Sequence, residues 1–546
     1  MSRETRTGWM RYEMEGGPMS GVDVVGADGS WRVTTSGQVE PMSAHSTELQ
    51  RRGTLRDFAL PLLDPGAAGL SDLGSESHDG KRWRVVRIGY PDGDSYDLFL
   101  DPANGACTWA RAIAGAETHW ERFTDWRRVA GVRLPFGRRG VYADPKQDWT
   151  DRWTEAKANQ GLTATSFQRP LPRREIVHFA DGAASTEWLP LDLINGYYMW
   201  VRGVVAGRAS DIWLDSGAQS TVLSQSFAKQ LRLKQSGHMR IAGTVKAQEG
   251  ALASGVDVQI GTLSLSNLTV AVTDLREVEK MMGRSISAIV GHELFNGAVV
   301  DIDYPGARIA FHDPARYQPE PEARRVRLLP GDHGDMLIEA SVEGLPPALF
   351  VVDTGSDDTL SLFGSYVEKN GLLEKRAPRS RRPGWGVGGS REATIATLKS
   401  FTIGGFELHD VPVSFEDAEE GAFAARHIAG NLGAEVLKRF RVVLDRSNGV
   451  MYLSSGADWE SKPFWKDRSG LYTRSQGTYE EVIYVRPGSP AAAANWKVGE
   501  RIVAVHVDVA GPPRPIEDWR TLPAGTRVVL KDGSGAERPL VLADYY

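Results

Sequence analysis

The sequence predicts a mostly β protein assembled from several domains, two of which repeat one plan. Three observations carry that expectation. The chain has 546 residues, more than one hydrophobic core organises. Short runs alternate apolar with polar residues, such as Trp83-Arg84-Val85-Val86-Arg87-Ile88 and Tyr96-Asp97-Leu98-Phe99-Leu100, and are bounded by Gly- and Pro-rich turns, which is how half-buried strands read. The segments 185–315 and 325–456 present the same sequence of features in the same order.

Composition narrows the classes of function. Apolar residues make up 41% and charged residues 25%, the balance of a folded globular chain. The formal charge of −6, with Lys and Arg dispersed among Asp and Glu, leaves no basic face for phosphates, so nucleic acid is not an expected partner. Cys107 is the one cysteine, which excludes an intramolecular disulfide framework and a Cys-based zinc site. It reads as a small packed residue within a strand. His292, His409 and His427 lack ligand spacing, and no metal or other cofactor is implied. No apolar run is long enough for a transmembrane helix, and Met1 to Trp9 is polar, without the features of an export signal.

Taken in order, residues 1–178 read as an antiparallel β domain, closing at the polar stretch Pro170-Leu171-Pro172-Arg173-Arg174. Connectors at Pro314 to Arg325 and Gly456 to Lys466 separate the remainder into the lobes 185–315 and 325–456 and a C-terminal domain, 466–546.

The repeat can be followed by residue. Gly207 precedes Asp211-Ile212-Trp213-Leu214-Asp215-Ser216-Gly217-Ala218, and Gly344 precedes Leu349-Phe350-Val351-Val352-Asp353-Thr354-Gly355-Ser356. Helix-like stretches follow at Phe227 to Leu233 and Phe363 to Leu372. Then come Gly-rich segments, weak around Gly237 to Gly250 and strong in Gly384-Trp385-Gly386-Val387-Gly388-Gly389. Ala288-Ile289-Val290-Gly291 corresponds to Gly430-Asn431-Leu432-Gly433, and each block ends in strand, turn and strand, at Val299 to Phe311 and Val442 to Leu453. Two copies of one plan, each offering an aspartate at the same point, imply a pseudo-two-fold arrangement that brings Asp215 and Asp353 together.

An apolar strand running into Asp-Ser/Thr-Gly sets a carboxylate where the chain turns sharply. One such tripeptide is an ordinary turn; two, each followed at matched distance by an apolar-apolar-Gly segment, are not. On Asp215-Ser216-Gly217-Ala218, Asp353-Thr354-Gly355-Ser356 and the later glycines, residues 185 to 455 resemble the retropepsin-like and pepsin-like aspartic peptidases. The resemblance implies two β-barrel lobes in one chain, with Asp215 and Asp353 catalytic. It further implies that Ser216, Gly217, Thr354 and Gly355 support the pair, Ser216 standing where threonine is commoner. No second copy of the chain is then needed for activity. Two close carboxylates share one proton and titrate as a unit, one activating water while the other protonates a substrate carbonyl. The segment around Trp385 and Gly386 fits a mobile hairpin that covers substrate, and the matching segment in the first lobe is Ile241-Ala242-Gly243.

The C-terminal segment Val485-Arg486-Pro487-Gly488-Ser489-Pro490-Ala491-Ala492, with Trp496-Lys497-Val498-Gly499-Glu500-Arg501-Ile502-Val503-Ala504-Val505, resembles a bacterial PDZ domain, except that Asn495 stands where glycine is usual. The resemblance implies capture of a peptide C-terminus by strand addition, with Gly470 and Leu471 in the carboxylate-receiving loop. Phe99 to Gly105 and Asp125 to Phe136 are loosely similar to outer-membrane lipoprotein carriers, which implies a curved antiparallel sheet and a periplasmic or cell-envelope location; the polar N-terminus keeps a cytoplasmic one open. The expectation is an aspartic endopeptidase with PDZ-assisted peptide recognition, and its rival is a non-catalytic envelope scaffold that binds peptides or lipid.

Overall fold

The protein is mostly β in a computed structural model of the chain; some strands pair with their neighbours in sequence and others across long connections. The structure describes all residues except 4–6, 17–19, 58–68, 92, 115–116, 144, 146–147, 195, 242, 244–247, 375, 388, 419–421, 457–458, 461 and 508–515. Ala242 and Gly388, expected at hairpin tips, lie outside the described residues. The chain forms two units, one of residues 1–15, 21–32 and 41–171, the other of 16–20, 33–40 and 172–546.

In the first unit, seven strands from Gly69–His78 to Trp149–Arg152 form one antiparallel meander in strict sequence order. In Lys81–Gly89, Trp83 and Val85 are buried on one face with Arg84 exposed between them, while Ile88 is buried in the cluster on the other face. Cys107 opens the strand Cys107–Ala114 half-buried, and burial pushes its thiol up to about 12, so it is an inert packing residue.

The second unit is built on the repeat. Strand Arg208–Leu214 pairs parallel with Ala288–Val290, and strand Ala348–Val352 pairs parallel with Gly430–Leu432. Only the paired ends read as apolar runs: Ile212 to Leu214 and Ala288–Val290 are buried throughout, while Asn431 interrupts the matching run in the second copy. The helices are shorter than the sequence suggests and start earlier in the first copy, at Gln225–Gln230 and Gly364–Asn370. Ser224 accepts the Phe227 N–H and so caps the first of them. Phe350, fully buried, meets Phe401 edge-on with ring centroids 5.4 Å apart, in a hydrophobic core shared by the two copies.

The closing strands of both copies meet in a common six-stranded sheet. Val299–Asp303 pairs antiparallel with Phe440–Asp445, placing Val300 opposite Leu444 and Ile302 opposite Val442. The copies are thus joined through backbone as well as side chains.

The last five strands, Leu471–Ser475 to Glu537–Val541, form a separate antiparallel sheet with its own core of Leu471, Val482, Trp496, Trp519, Leu530 and Leu540. Its short helix Pro490–Ala493 has Ser489 at the N-cap and proline in the first turn, as the sequence suggests. Asn495, the departure from glycine, adopts φ of 60°, the left-handed conformation that asparagine tolerates best after glycine.

Candidate active site

The chain leaves each buried strand at an aspartate, and the following loops pass one another at bonding distance. Asp215 N–H donates to Val290 O at 3.1 Å, and Asp353 N–H to Leu432 O at 3.0 Å, so each aspartate is fixed to the strand beside it. Gly217 N–H donates to its own lobe's Asp215 Oδ1 at 2.8 Å, and Gly355 N–H to Asp353 Oδ1 at 2.9 Å.

The two loops are then bonded across the lobes. Ser216 N–H donates to Thr354 Oγ1 at 3.0 Å, Thr354 N–H to Ser216 Oγ at 2.9 Å, and Ser216 Oγ–H to Val352 O at 2.9 Å. Ser216 and Thr354 are fully buried, so these bonds are made away from water and their geometry is rigid. Serine at the first position keeps every bond a hydroxyl can make here.

The glycines have a steric reason. A Cβ on Gly217 would lie 2.8 Å from Asp353 Oδ1, and one on Gly355 would overlap the Asp215 carboxyl. Each glycine therefore faces the opposite lobe's aspartate. At the end of each neighbouring parallel strand, a Cβ on Gly291 would strike Ala218 O, and one on Gly433 would strike Asp358 O. The apolar-apolar-Gly segments are where the second strand slides beneath the aspartate loop, which closes with His292 N–H to Ala218 O at 3.0 Å and Ala434 N–H to Ser356 O at 2.9 Å.

Each carboxyl lies against the opposite lobe's glycine, which brings Asp215 and Asp353 close enough to perturb one another. Both carboxyls sit deep among protein atoms while their residues keep some contact with solvent, so water can reach them. Burial, and then the Asp353 carboxylate, raise Asp215 far above the ordinary carboxylate range. Asp353 is also raised by burial, but several donors oppose the rise, first among them Asn431 Nδ2, 2.9 Å from Asp353 Oδ2. The equivalent position in the first lobe is Ile289, opposite Trp213 as Asn431 is opposite Val351. The pair is therefore asymmetric: Asp353 alone has this extra donor, which favours charge on its carboxyl. Asn431 was hidden in the sequence inside a segment that otherwise reads as apolar.

His292, read as a core or surface histidine, is buried, with Nε2 3.1 Å from Ser216 O. Burial, reinforced by Arg446, lowers it to about 3 and keeps the ring neutral.

The Gly-rich segment of the second lobe forms a hairpin of strands Ser380–Gly386 and Gly389–Ile403, with Gly386 paired to Gly389. Its counterpart in the first lobe consists of Gln235–Ile241 and Gln248–Ile260. Val387 at the tip packs against the first-lobe cluster of Tyr198, Trp200 and Trp213, so the hairpin bridges the lobes. Trp385, expected to meet substrate, has its ring beside Tyr472 of the C-terminal sheet, centroids 5.5 Å apart. Gly470 and Leu471 are far from bare: Gly470 N–H donates to Asp467 Oδ2 at 3.0 Å, and Leu471 N–H to Ser469 Oγ at 3.1 Å. Ser469 N–H also goes to Asp467, at 3.0 Å. A buried carboxylate of the chain itself fills the loop expected to receive a peptide terminus.

A family model described as aspartyl protease matches residues 201–294 and 338–436, the two halves of the repeat. The chain contains an aspartyl protease-like domain. The match covers less than half of the chain, leaving out the first unit's meander and the C-terminal sheet. No curated protein matches the chain. Among solved structures, Basic 7S globulin from soybean is similar over 50% of this chain and 95% of its own, at 11% identity and a TM-score of 0.30. No helix among the described residues is long and apolar enough to cross a membrane.

Proposed function

We propose that the protein is an aspartic endopeptidase whose catalytic pair is Asp215 and Asp353. The observation that carries this reading is the pair of aspartates at the ends of equivalent strands, each against the opposite lobe's glycine and braced by the crossed Ser216 and Thr354 bonds. Ionised Asp353 takes a proton from a water lying between the carboxyls as that water's oxygen attacks the peptide carbonyl carbon. Asp215 gives its proton to the carbonyl oxygen, and a tetrahedral diol forms. Collapse of the diol moves a proton to the leaving nitrogen, breaks the C–N bond and restores the single shared proton. Burial supports this division of labour, because two like charges at this spacing cannot both persist in a low dielectric. Both aspartates come from one chain, so a single copy suffices.

The C-terminal sheet supports a part in peptide recognition through its outermost strand, Leu471–Ser475, which lies at the end of the strand order beside Glu480–Val485. An extended peptide can add along such an edge. A PDZ-type capture of a free C-terminus has first to displace Asp467 from the amides of Ser469 and Gly470. An envelope location belongs to the same proposal and rests on the similarity of the N-terminal block to envelope carriers; cell fractionation tests it.

Incubation of the full chain with a peptide library, with and without pepstatin, tests the reading. Cleavage that pepstatin blocks and that Asp215→Asn abolishes is expected. Cleavage that survives both treatments overturns the assignment.

A further inference from the structure

The Gly-rich hairpin of the second lobe is held by the C-terminal sheet at points along both of its strands. On the first strand, Ser380 Oγ–H donates to Pro487 O at 2.9 Å, and Trp385 packs on Tyr472 with an interplanar angle of 53°. On the second, Glu392 Oε1 accepts from Tyr484 OH at 2.7 Å, and Ile395 is buried with Tyr545 and Tyr546, the last two residues of the chain. Arg382, on the same hairpin strand as Trp385, bonds the Asp358 carboxylate and lies 3.5 Å from Asp357. Asp357 and Asp358 continue the loop that begins at Asp353. Tyr472 thus packs on the hairpin strand that also carries the arginine bonded to the loop of a proposed catalytic aspartate.

Tyr472 is itself fixed. The Arg486 guanidinium lies 4.9 Å from its ring centre, and Arg486, almost fully buried, donates to Tyr545 OH at 2.8 Å. Tyr545 OH in turn donates to Asp467 Oδ2 at 2.7 Å. The carboxylate that fills the would-be peptide loop therefore also anchors the platform beneath Tyr472. Such a buried, satisfied network suits a rigid support better than a mobile receptor loop.

We propose that Tyr472, outside both lobes, is a positioning residue of the peptidase: it holds the hairpin, through its packing on Trp385, in register over the carboxyl pair. The inference rests on the peptidase reading above. The C-terminal sheet is then a working part of the substrate-covering hairpin. Misplacement of such a cover by a fraction of an ångström lowers the rate without touching the reacting groups.

The test uses the full chain with Tyr472→Ala, Tyr472→Phe, Trp385→Ala and the Tyr472→Ala/Trp385→Ala double variant. Tyr472→Ala is expected to lower kcat/KM roughly ten- to hundredfold, with both limbs of the pH profile unmoved. Hydrogen exchange should quicken in 380–403 and stay unchanged in the shared sheet strands 299–303 and 440–445. Tyr472→Phe keeps the ring on Trp385 and should recover most of the activity. The double variant should be no worse than the poorer single, because the two rings act through one contact. Overturning results are parent-like activity or exchange in Tyr472→Ala, increased activity on loosening the hairpin, or additive losses in the double variant. If Tyr472→Ala unfolds the C-terminal sheet, Trp385→Ala decides: unchanged exchange in 380–403 overturns the proposal. If the unmodified chain cleaves no peptide, the peptidase reading fails by itself, while exchange in 380–403 still tests Tyr472.

Discussion

Asp215→Asn and Asp353→Asn each remove the exchangeable proton that both halves of the reaction use, so each is expected to abolish peptide hydrolysis while leaving the fold intact. The double variant should be little worse, and a coupled peptidase assay checks this. Stability moves the other way for Asp215. A carboxyl whose folded value is raised binds its proton more tightly when folded, so it weakens the fold progressively as pH climbs from about 4 to its folded value. The stability gained by Asp215→Asn should therefore grow over that window and then level off, which urea melts at acid and neutral pH will measure. The alkaline limb of the bell-shaped pH profile, set by Asp215, should reach toward neutrality, further than an acid-centred profile would place it. Asn431→Leu removes the donor that favours charge on Asp353, so the acid limb should move to higher pH. The two Asp-Ser/Thr-Gly motifs were legible because their meaning is local: strand, carboxylate, turn. Asn431 was not, because its role depends on being carried under the opposite strand, and its neighbours Gly430, Leu432 and Gly433 give no hint of a polar partner.

Among the elements, the crossing of the second strand beneath the aspartate loop is the tightest place in each copy. Gly433→Ala should be destabilising because its Cβ would land on the Asp358 carbonyl, a backbone atom with nowhere to retreat. A loss of about 2 kcal/mol or more is expected by analogy with overpacking, together with lost activity, and thermal melting with a matched assay measures both. Phe350→Ala, in the core beneath the same loop, should cost about 3–5 kcal/mol. The strands and the short helices were readable from period and capping residues, and the duplicated order made their pairing foreseeable. The contacts of the Trp385 hairpin were not, since they join side chains some ninety residues apart, beyond the reach of any periodicity, as with Trp385 and Tyr472 (about 87 apart in sequence). The same distance explains Asp467: the sequence placed a receptor loop at Gly470 and Leu471 from local likeness, and the acid that fills it lies just before the quoted residues.

At the scale of the whole molecule, the two lobes are one cooperative body because they share a core and a sheet. Leu444→Ala, buried opposite Val300, should cost about 2–5 kcal/mol and quicken hydrogen exchange in strands of both lobes together. Exchange confined to 440–455 would show that the lobes open separately. The duplication itself was visible in the sequence, whereas the seam was not, since Val299–Asp303 and Phe440–Asp445 could equally have belonged to two unconnected sheets. That seam carries a consequence for a chain severed in the connector between the lobes. Each fragment would be left with a bare ladder of unpaired amides and carbonyls where its sister strand used to lie, an edge that natural sheets avoid leaving open. Because the seam is antiparallel and nearly symmetric, a second molecule of the same fragment can take the missing place about a true two-fold axis. Two lobes that pair with each other within one chain would, once divided, become self-complementary halves.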